Sequence, residues 1–343
     1  MRIANIMFSK GAGGIEKAFV DYSEGLRDIG HEVISITDPA AMVNAELAEL
    51  KLNVKSVGNL GEWDILAARN LRKLLLGLKV DVVIANANRA FGLSTKAIKG
   101  KIPLVGVVQN YSTSRYNAAD AVFTTTHDLI NTLILQGIDK DHIFHVPNMI
   151  KCTELPHRKP RNNPPVIGTM GRFVAKKGFD VYINALKILK ERGVEFKAVL
   201  GGNGEEENNL KKRARSAGLD GQLNFLGWVK DKKEFYTGID IFCLPSLHEP
   251  FGIVLLEAFT YGAPVISTDT EGPHDIINPN YDALIVKKGN AEQLADAMEM
   301  LIKQPATCDK LAANAFAKVR TVYAQEVVSK AIEDALKKIL GKI

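Results

Sequence analysis

The sequence predicts an α/β protein built as two doubly wound domains with parallel sheets. Three observations lead there. Short β-type runs alternate with amphipathic helical stretches from end to end, the pattern of repeated βαβ units. One stretch near the middle, residues 150–165, breaks the alternation with Pro156, Pro160, Pro164 and Pro165 among Lys, Arg and Asn, and no apolar period runs through it. The chain has 343 residues, which suits two domains of ordinary size.

Taken in order, the first half offers strands at 3–8, 32–37, 81–85, 104–108, 121–125 and 143–146, short runs rich in β-branched and other apolar residues. Between them, 15–29, 64–78 and 128–135 carry apolar residues at helical spacing. After the proline-rich stretch the alternation restarts. Strands are expected at 166–170, 197–200, 223–226, 239–245, 264–268 and 283–286, and helices at 179–191, 205–217, 253–261 and 291–302. Residues 327–340 form one more amphipathic helix. The expected layout is a first domain over 1–150, a linker over 151–165, a second domain over 166–325, and a C-terminal helix within 326–343 packing back toward the first domain. A cleft between the domains is the simplest arrangement. In open sheets of this kind, ligands bind outside the carboxyl ends of the strands, where loops meet helix N-termini.

Composition narrows the function classes. Apolar residues make up 46% and charged residues 24%, far from the low-hydropathy regime of disordered chains. No uncharged apolar run approaches the ~18 residues of a membrane span, and the run at 3–8 is too short for a signal-peptide core. A cytoplasmic location is therefore expected, rather than a fibre, a membrane-spanning chain or an exported one. Cys152, Cys243 and Cys308 lie far apart, which fits a reducing compartment and argues against a disulfide framework. Net charge is +5, divided as +3 up to Lys159 and +2 beyond it. An excess this mild does not call for nucleic acid and is compatible with anionic surfaces or phosphorylated ligands.

Three stretches could carry chemistry. Gly11-Ala12-Gly13-Gly14-Ile15-Glu16 follows the first strand and opens a helix, so backbone N–H groups could approach a phosphate there; a plain tight turn accounts for it equally well. Gly171-Arg172-Phe173-Val174-Ala175-Lys176-Lys177-Gly178 follows the first strand of the second half. It sets cations beside a helix start, which suits a diphosphate, although a solvated basic loop also fits. Third, Pro245-Ser246-Leu247-His248 leads into Glu249-Pro250-Phe251-Gly252-Ile253-Val254-Leu255-Leu256-Glu257. Two glutamates eight apart mean little alone, since Glu16, Glu24 and Glu32 repeat that spacing on a face expected to be surface. Context separates the third pair. Glu249 sits in a Pro-bounded loop after an apolar strand, and Glu257 falls among Val254, Leu255, Leu256, Ala258 and Phe259. A carboxylate there is costly to bury unless it accepts hydrogen bonds, so it should face a polar ligand rather than a core.

Other features point nowhere in particular. Asp139-x-Asp141 lies in a polar turn, the seven histidines show no zinc-binding spacing, and no Gly-x-Ser-x-Gly elbow is present. No metal site is expected. The cations Lys211, Lys212, Arg213 and Arg215 follow an acidic helix start, the order that the helix dipole favours.

The second half resembles the nucleotide-sugar domain of retaining glycosyltransferases of family four, which have the GT-B fold of two Rossmann-like domains facing a cleft. The resemblance rests on Gly171-Arg172 with Lys177-Gly178, Gly201-Gly202-Asn203-Gly204-Glu205, Phe225-Leu226-Gly227-Trp228-Val229, Pro245-Ser246 through Glu257, Gly262-Ala263-Pro264-Val265-Ile266, and Gly272-Pro273 with Asp275, in the family's order. In the first half it is looser, resting on Gly13-Gly14, Ala119-Asp120-Ala121-Val122 and Val146-Pro147-Asn148. It implies a donor site in which Arg172 and Lys177 hold the donor diphosphate, Glu257 accepts from the ribose hydroxyls and Glu249 holds hydroxyls of the transferred sugar. The backbone of Phe251, Gly252, Ile253 and Val254 would face sugar and phosphates, Val229 the base, and Gly13 and Gly14 the phosphates. Glu249, Arg172 and Lys177 would be the catalytic set. Two fixed cations make a metal unnecessary, since preorganised positive charge aimed at the leaving diphosphate is the main catalytic requirement. No cofactor is implied beyond a nucleoside-diphosphate sugar as co-substrate, with UDP or GDP ahead of ADP.

The implied reaction is retaining hexosyl transfer to a glycan or lipid-linked acceptor, in cell-envelope polysaccharide or lipopolysaccharide synthesis. Same-face attack is the better reading, with a carboxylate nucleophile as the rival. One departure matters. The family often carries histidine where this chain reads Ile84-Ala85-Asn86 and Val107-Val108-Gln109-Asn110. Asn86 and Gln109 can hydrogen-bond an acceptor or sugar but cannot carry a proton at neutral pH. Two alternatives therefore stay open, a GT-B nucleotide-sugar epimerase and a nucleotide-sugar-binding pseudoenzyme. Finally, Leu66, Leu71, Leu74, Leu75 and Leu78 share a helical side near Arg69, Arg72 and Lys73. A core-facing helix explains them, and peripheral contact with an anionic inner-membrane surface is the alternative.

Overall fold

The computed structural model describes residues 1–11, 13–113, 115–152, 154 and 161–341. The chain divides into two units. One comprises Met1–Lys151 with Tyr323–Ile343, the other Cys152–Val322. In the predicted linker, residues 153 and 155–160, with Pro156 and Pro160, lie outside the described residues, as does Ala12 of the first glycine stretch.

The first unit carries β1 (Arg2–Met7), β2 (Glu32–Thr37), β3 (Asn53–Ser56), β4 (Val82–Asn86), β5 (Leu104–Val108), β6 (Ala121–Thr124) and β7 (Ile143–His145). They form one parallel sheet in the order β3-β2-β1-β4-β5-β6-β7. Its helices are α1 (Gly14–Asp28), α2 (Val43–Glu49), α3 (Ile65–Leu78), α4 (Ala87–Ile98) and α5 (His127–Leu135). Alternate residues of a strand face opposite sides, and here both sides are apolar. Ala4 and Ile6 of β1 pack with Leu71 and Leu75 of α3, Leu93 of α4 and Leu129 of α5, while Ile3 packs with Tyr22 and Leu26 of α1 on the other face. This double burial explains the near-continuous apolar strands that made the sheet legible.

The second unit repeats the plan with β8 (Val166–Met170), β9 (Lys197–Gly201), β10 (Leu223–Gly227), β11 (Ile241–Leu244), β12 (Val265–Thr268) and β13 (Leu284–Val286). The order is β10-β9-β8-β11-β12-β13, again parallel. Around it lie α6 (Phe179–Glu191), α7 (Glu207–Ser216), α8 (Lys232–Gly238), α9 (Ile253–Thr260), α10 (Glu271–Ile276), α11 (Ala291–Lys303) and α12 (Pro305–Lys318). The last helix, α13 (Gln325–Ile339), belongs to the first unit, where Val328, Ile332 and Leu336 join the face covered by α1. Gly25 allows the close approach, because a Cβ there would sit 2.2 Å from Ser329 Oγ.

In each sheet the strand order reverses once, between β1 and β4 and between β8 and β11. Loops diverge at such a switch point and leave a crevice at the carboxyl ends of the two strands. The α/β class with two parallel sheets is as predicted. β3 was not foreseen, since Val54 is its only apolar residue and it lies at the sheet edge. Two surface expectations are corrected. Glu24 is buried, its charge met by Lys151 Nζ at 2.6 Å and Arg27 at 3.6 Å. Leu66 does not share the core-facing side of α3. Leu71 and Leu75 are buried and Leu74 and Leu78 pack against them, whereas Leu66 is exposed.

Candidate active site

The β8–β11 switch point brings together most of the predicted donor residues. After β8, residues 171–178 are pinned at both ends. Phe173 is buried edge-on against Phe179 and Phe225, and its N–H donates to Asn203 O at 2.7 Å. Gly178 has φ +63°, and a Cβ there would lie 2.0 Å from Pro245 O, so only glycine lets the two loops meet. Leu247 N–H then donates to Lys176 O at 2.8 Å. This zipper leaves the Arg172 side chain exposed, while its backbone O accepts from Val174 N–H at 2.9 Å. It also sets Lys177 Nζ 2.5 Å from Glu249 Oε2. Ser246 Oγ lies 3.4 Å from the same oxygen.

Glu249 is only 7% exposed. Its backbone O accepts from Gly272 N–H at 2.8 Å, and a Cβ on Gly272 would come within 2.2–2.4 Å of the Phe251 backbone. The chain then turns through Gly252 at φ +101° into α9. The first N–H groups of a helix have no intrahelical acceptor, so Ile253 and Val254 present donors at the strand ends. Glu257, one turn on, is 5% exposed. A ligand was expected to face it, because a buried carboxylate needs partners. Two come from the protein itself. Lys232 Nζ pairs with Oε1, and the Tyr236 hydroxyl donates to Oε2 at 3.1 Å. Tyr236 is fully buried and stacked on Tyr261 at 5.6 Å; burial and the neighbouring carboxylate push its phenol well above the ordinary range, so it remains a donor. Lys232 and Tyr236 were missed; they stand one turn apart at the start of α8, after its cap Asp231, and nothing beside them in the chain points to Glu257. Val229 follows β10 with its side chain against Gly201.

The other predicted residues stand at strand ends of the first unit. Gly13 caps α1 in an extended conformation and Gly14 begins the helix. Asn86 ends β4, fully buried; its Nδ2 donates to Asn5 Oδ1 at 2.7 Å and to Ile6 O at 3.2 Å, while its Oδ1 has no partner among the described residues. It helps line a cavity of about 380 Å³ at the β1–β4 switch point, with Ser9, Lys10, Asn88, Arg89 and Asn110. Ala87 beside it has φ +64°, a strained conformation for a residue with a Cβ. Gln109 lies two residues beyond the β5 position paired with Asn86, and donates to Asn148 Oδ1 at 3.1 Å.

Comparison with known proteins decides the family. Residues 153–318 match the model of glycosyl transferases group 1, and residues 12–154 match that of glycosyltransferase family 4. A lipopolysaccharide core biosynthesis glycosyltransferase, LpsE of Rhizobium meliloti (strain 1021), is 30% identical over 91% of this chain and 92% of its own length. The chain belongs to this glycosyltransferase family. A second Rhizobium meliloti glycosyltransferase of lipopolysaccharide core biosynthesis, LpsD, is 26% identical over the full length of both chains. Solved structures, a glycosyltransferase among them, share the fold. One from Rickettsia africae ESF-5 superposes with a TM-score of 0.88 at 20% identity, covering 100% of this chain and 99% of its own. Anabaena Alr3699/HepE in complex with UDP gives 0.85 at 18% identity, covering 98% and 100%. This glycosyltransferase therefore has the two-domain GT-B fold.

Proposed function

We propose that this glycosyltransferase moves a hexosyl group, with retention and without a metal, from a UDP- or GDP-sugar to a glycan or lipid-linked acceptor of lipopolysaccharide or related cell-envelope synthesis. The observation that carries the reading is the pair of buried glutamates at the β8–β11 switch point, each held by a lysine. Arg172 and Lys177 offer charge to a diphosphate, and the α9 N-terminus adds N–H donors. On donor binding Lys177 turns from Glu249 to the diphosphate, and Glu249 then accepts from sugar hydroxyls. Glu257, fixed by Lys232 and Tyr236, accepts from the ribose, and the Val229 backbone meets the base.

In the reaction the bond from the anomeric carbon to the diphosphate breaks, and the acceptor hydroxyl oxygen bonds to that carbon. The hydroxyl proton leaves with the departing phosphate. Glu249 is then engaged by sugar hydroxyls rather than aimed at the anomeric carbon, which favours same-face attack over a covalent sugar intermediate. Asn86, Gln109 and the cavity beside them would take the acceptor, and the backbone N–H groups of Gly13 and Gly14 would suit a phosphate. The names of LpsE and LpsD support the envelope assignment, and the UDP complex of HepE supports a nucleoside diphosphate.

Calorimetric titration with UDP, GDP, ADP and CMP in EDTA tests the reading. Micromolar binding of UDP or GDP is expected, and failure of all four to bind would sink it. With the matching donor sugar, proton NMR of the product should show the anomeric configuration of the donor. Free sugar from donor alone would instead indicate an epimerase, and binding without turnover a pseudoenzyme.

A further inference from the structure

The β1–β4 crevice of the first unit has a neutral floor and a cationic rim. Asn86 lies at the floor of its cavity, whereas Lys10 and Arg89 line it from exposed positions. Among the described residues no acid lines this cavity. Lys10 makes only a loose ion pair, its Nζ 3.8 Å from Asp38 Oδ1. Asp38 is buried and already accepts from Ala40 N–H at 2.9 Å and from Asn59 Nδ2 at 3.0 Å. Arg89 donates to Phe8 O at 3.2 Å, a neutral partner that leaves its charge open to a ligand.

The start of α4 adds two further features. An asparagine at a helix cap ordinarily accepts from a first-turn N–H through its own Oδ1. Asn86 caps α4 without doing so. Its Nδ2 is turned to Asn5 and Ile6, and its Oδ1 has no partner among the described residues although Asn86 is only 1% exposed. The first N–H groups of α4 therefore have neither an intrahelical acceptor nor a side-chain cap, and Asn88, Arg89 and Ala90 of that turn all line the cavity. A helix N-terminus beside two cations favours negative charge. The buried oxygen of Asn86 can only accept, so it calls for a hydroxyl close by. A neutral sugar would strip water from Lys10 and Arg89 and give them no counter-charge, which is costly. A sugar that carries an anion turns the same cations into attraction.

We propose that the acceptor taken by this cavity is an anionic sugar. Its phosphate or carboxylate meets Lys10, Arg89 and the α4 N-terminus, and a neighbouring hydroxyl donates to Asn86 Oδ1. This narrows the acceptor reading, on which it rests, to one chemical class. A cavity of about 380 Å³ is within the range of small-ligand sites.

The full chain is titrated with glucose 6-phosphate, glucuronate and methyl glucoside, without nucleotide, and binding is read by saturation-transfer NMR. Millimolar binding of at least one anionic sugar is expected, with methyl glucoside at least 10-fold weaker. The tighter of the two anionic sugars tells phosphate from carboxylate. Arg89→Gln should weaken that binding about 10-fold with the circular dichroism unchanged, and Arg89→Lys, which keeps the charge, should lose less. Lys10→Gln should have a smaller effect, because Asp38 already shares that charge. Saturating UDP should not displace the sugar. Equal binding of all three sugars, binding of none, or binding that Arg89→Gln together with Lys10→Gln leaves unchanged would each overturn the proposal. So would displacement by UDP, which would give these cations to the donor phosphates. Calorimetry with UDP alone reports on the donor site, so the two readings can fail separately.

Discussion

The two sheets are built to one plan, yet their switch points carry different chemistry. At β8–β11 the buried polar groups are charged, with Glu249 against Lys177 and Glu257 against Lys232 and Tyr236. At β1–β4 they are neutral. Asn86 donates to Asn5, Asn5 donates to Ser23 Oγ at 2.9 Å, and Ser35 Oγ donates to Ser23 at 2.9 Å. Buried charge is costly to keep unless it is paired, whereas buried amides and hydroxyls need only hydrogen-bond partners. The parallel sheet itself supplies a crevice and little more. The second unit spends its crevice on ionic groups suited to a charged leaving group, and the first on amides suited to hydroxyls.

That contrast can be broken at its strongest point. Lys177→Ala should lower turnover by roughly 10²–10³, as loss of a single preorganised transition-state contact does elsewhere, with a smaller change in nucleotide affinity. Single-turnover kinetics would show it, and wild-type turnover would remove Lys177 from the catalytic set. Glu257→Gln comes next. It removes a charged acceptor and leaves Lys232 without its partner, so the dissociation constant for the nucleotide should rise ~10- to 100-fold with turnover of bound donor little changed. Calorimetry separates the two effects. If Glu257→Gln bound nucleotide like the wild type, the Lys232 pair would be structural only.

Legibility in the sequence follows the same division. The sheets were readable because strands buried on both faces are apolar throughout, so runs such as residues 104–108 and 241–244 stand out. β3 was not, because an edge strand with one apolar residue has no such signature. Glu249 and Glu257 were legible from context, a carboxylate among apolar neighbours. The pairings that hold them were not, since Lys177 lies 72 positions before Glu249 and Lys232 lies 25 before Glu257, and nothing local ties either pair. Glu24 shows the opposite failure. Its spacing to Glu16 and Glu32 suggested a surface face, yet its charge is met by Lys151, 127 positions away. Pairings made by the fold cannot be read from neighbours in the chain.

The first unit offers the complementary test. Asn86→Ala strands the Asn5 Oδ1 acceptor in a buried site, at a cost of about 1–3 kcal/mol. For a unit of this size the melting temperature should fall by roughly 3–8 °C, with nucleotide affinity unaltered. A change in nucleotide affinity equal to that of Glu257→Gln would mean that the amide network also serves the donor.

The smallest effect belongs to a charge cluster lying outside either crevice. On α13, Glu333 pairs with Lys330 and with Lys337 at 2.9 Å, and hydrogen bonds from these two lysines hold its carboxyl down from 4.5 to about 2. A depressed folded-state pKa stabilises above the unfolded value, so the contribution is whole above pH 4.5 and is lost as pH falls toward 2. Solvent screening at this helix surface limits it to about 0.5 kcal/mol. Glu333→Gln should therefore lower the melting temperature by ~1–2 °C at pH 6 and by nothing measurable near pH 2. A larger loss would mean that lysine–glutamate pairs matter in this protein wherever they occur. The expected small loss ties the weight of Glu249 and Glu257 to burial at the strand ends.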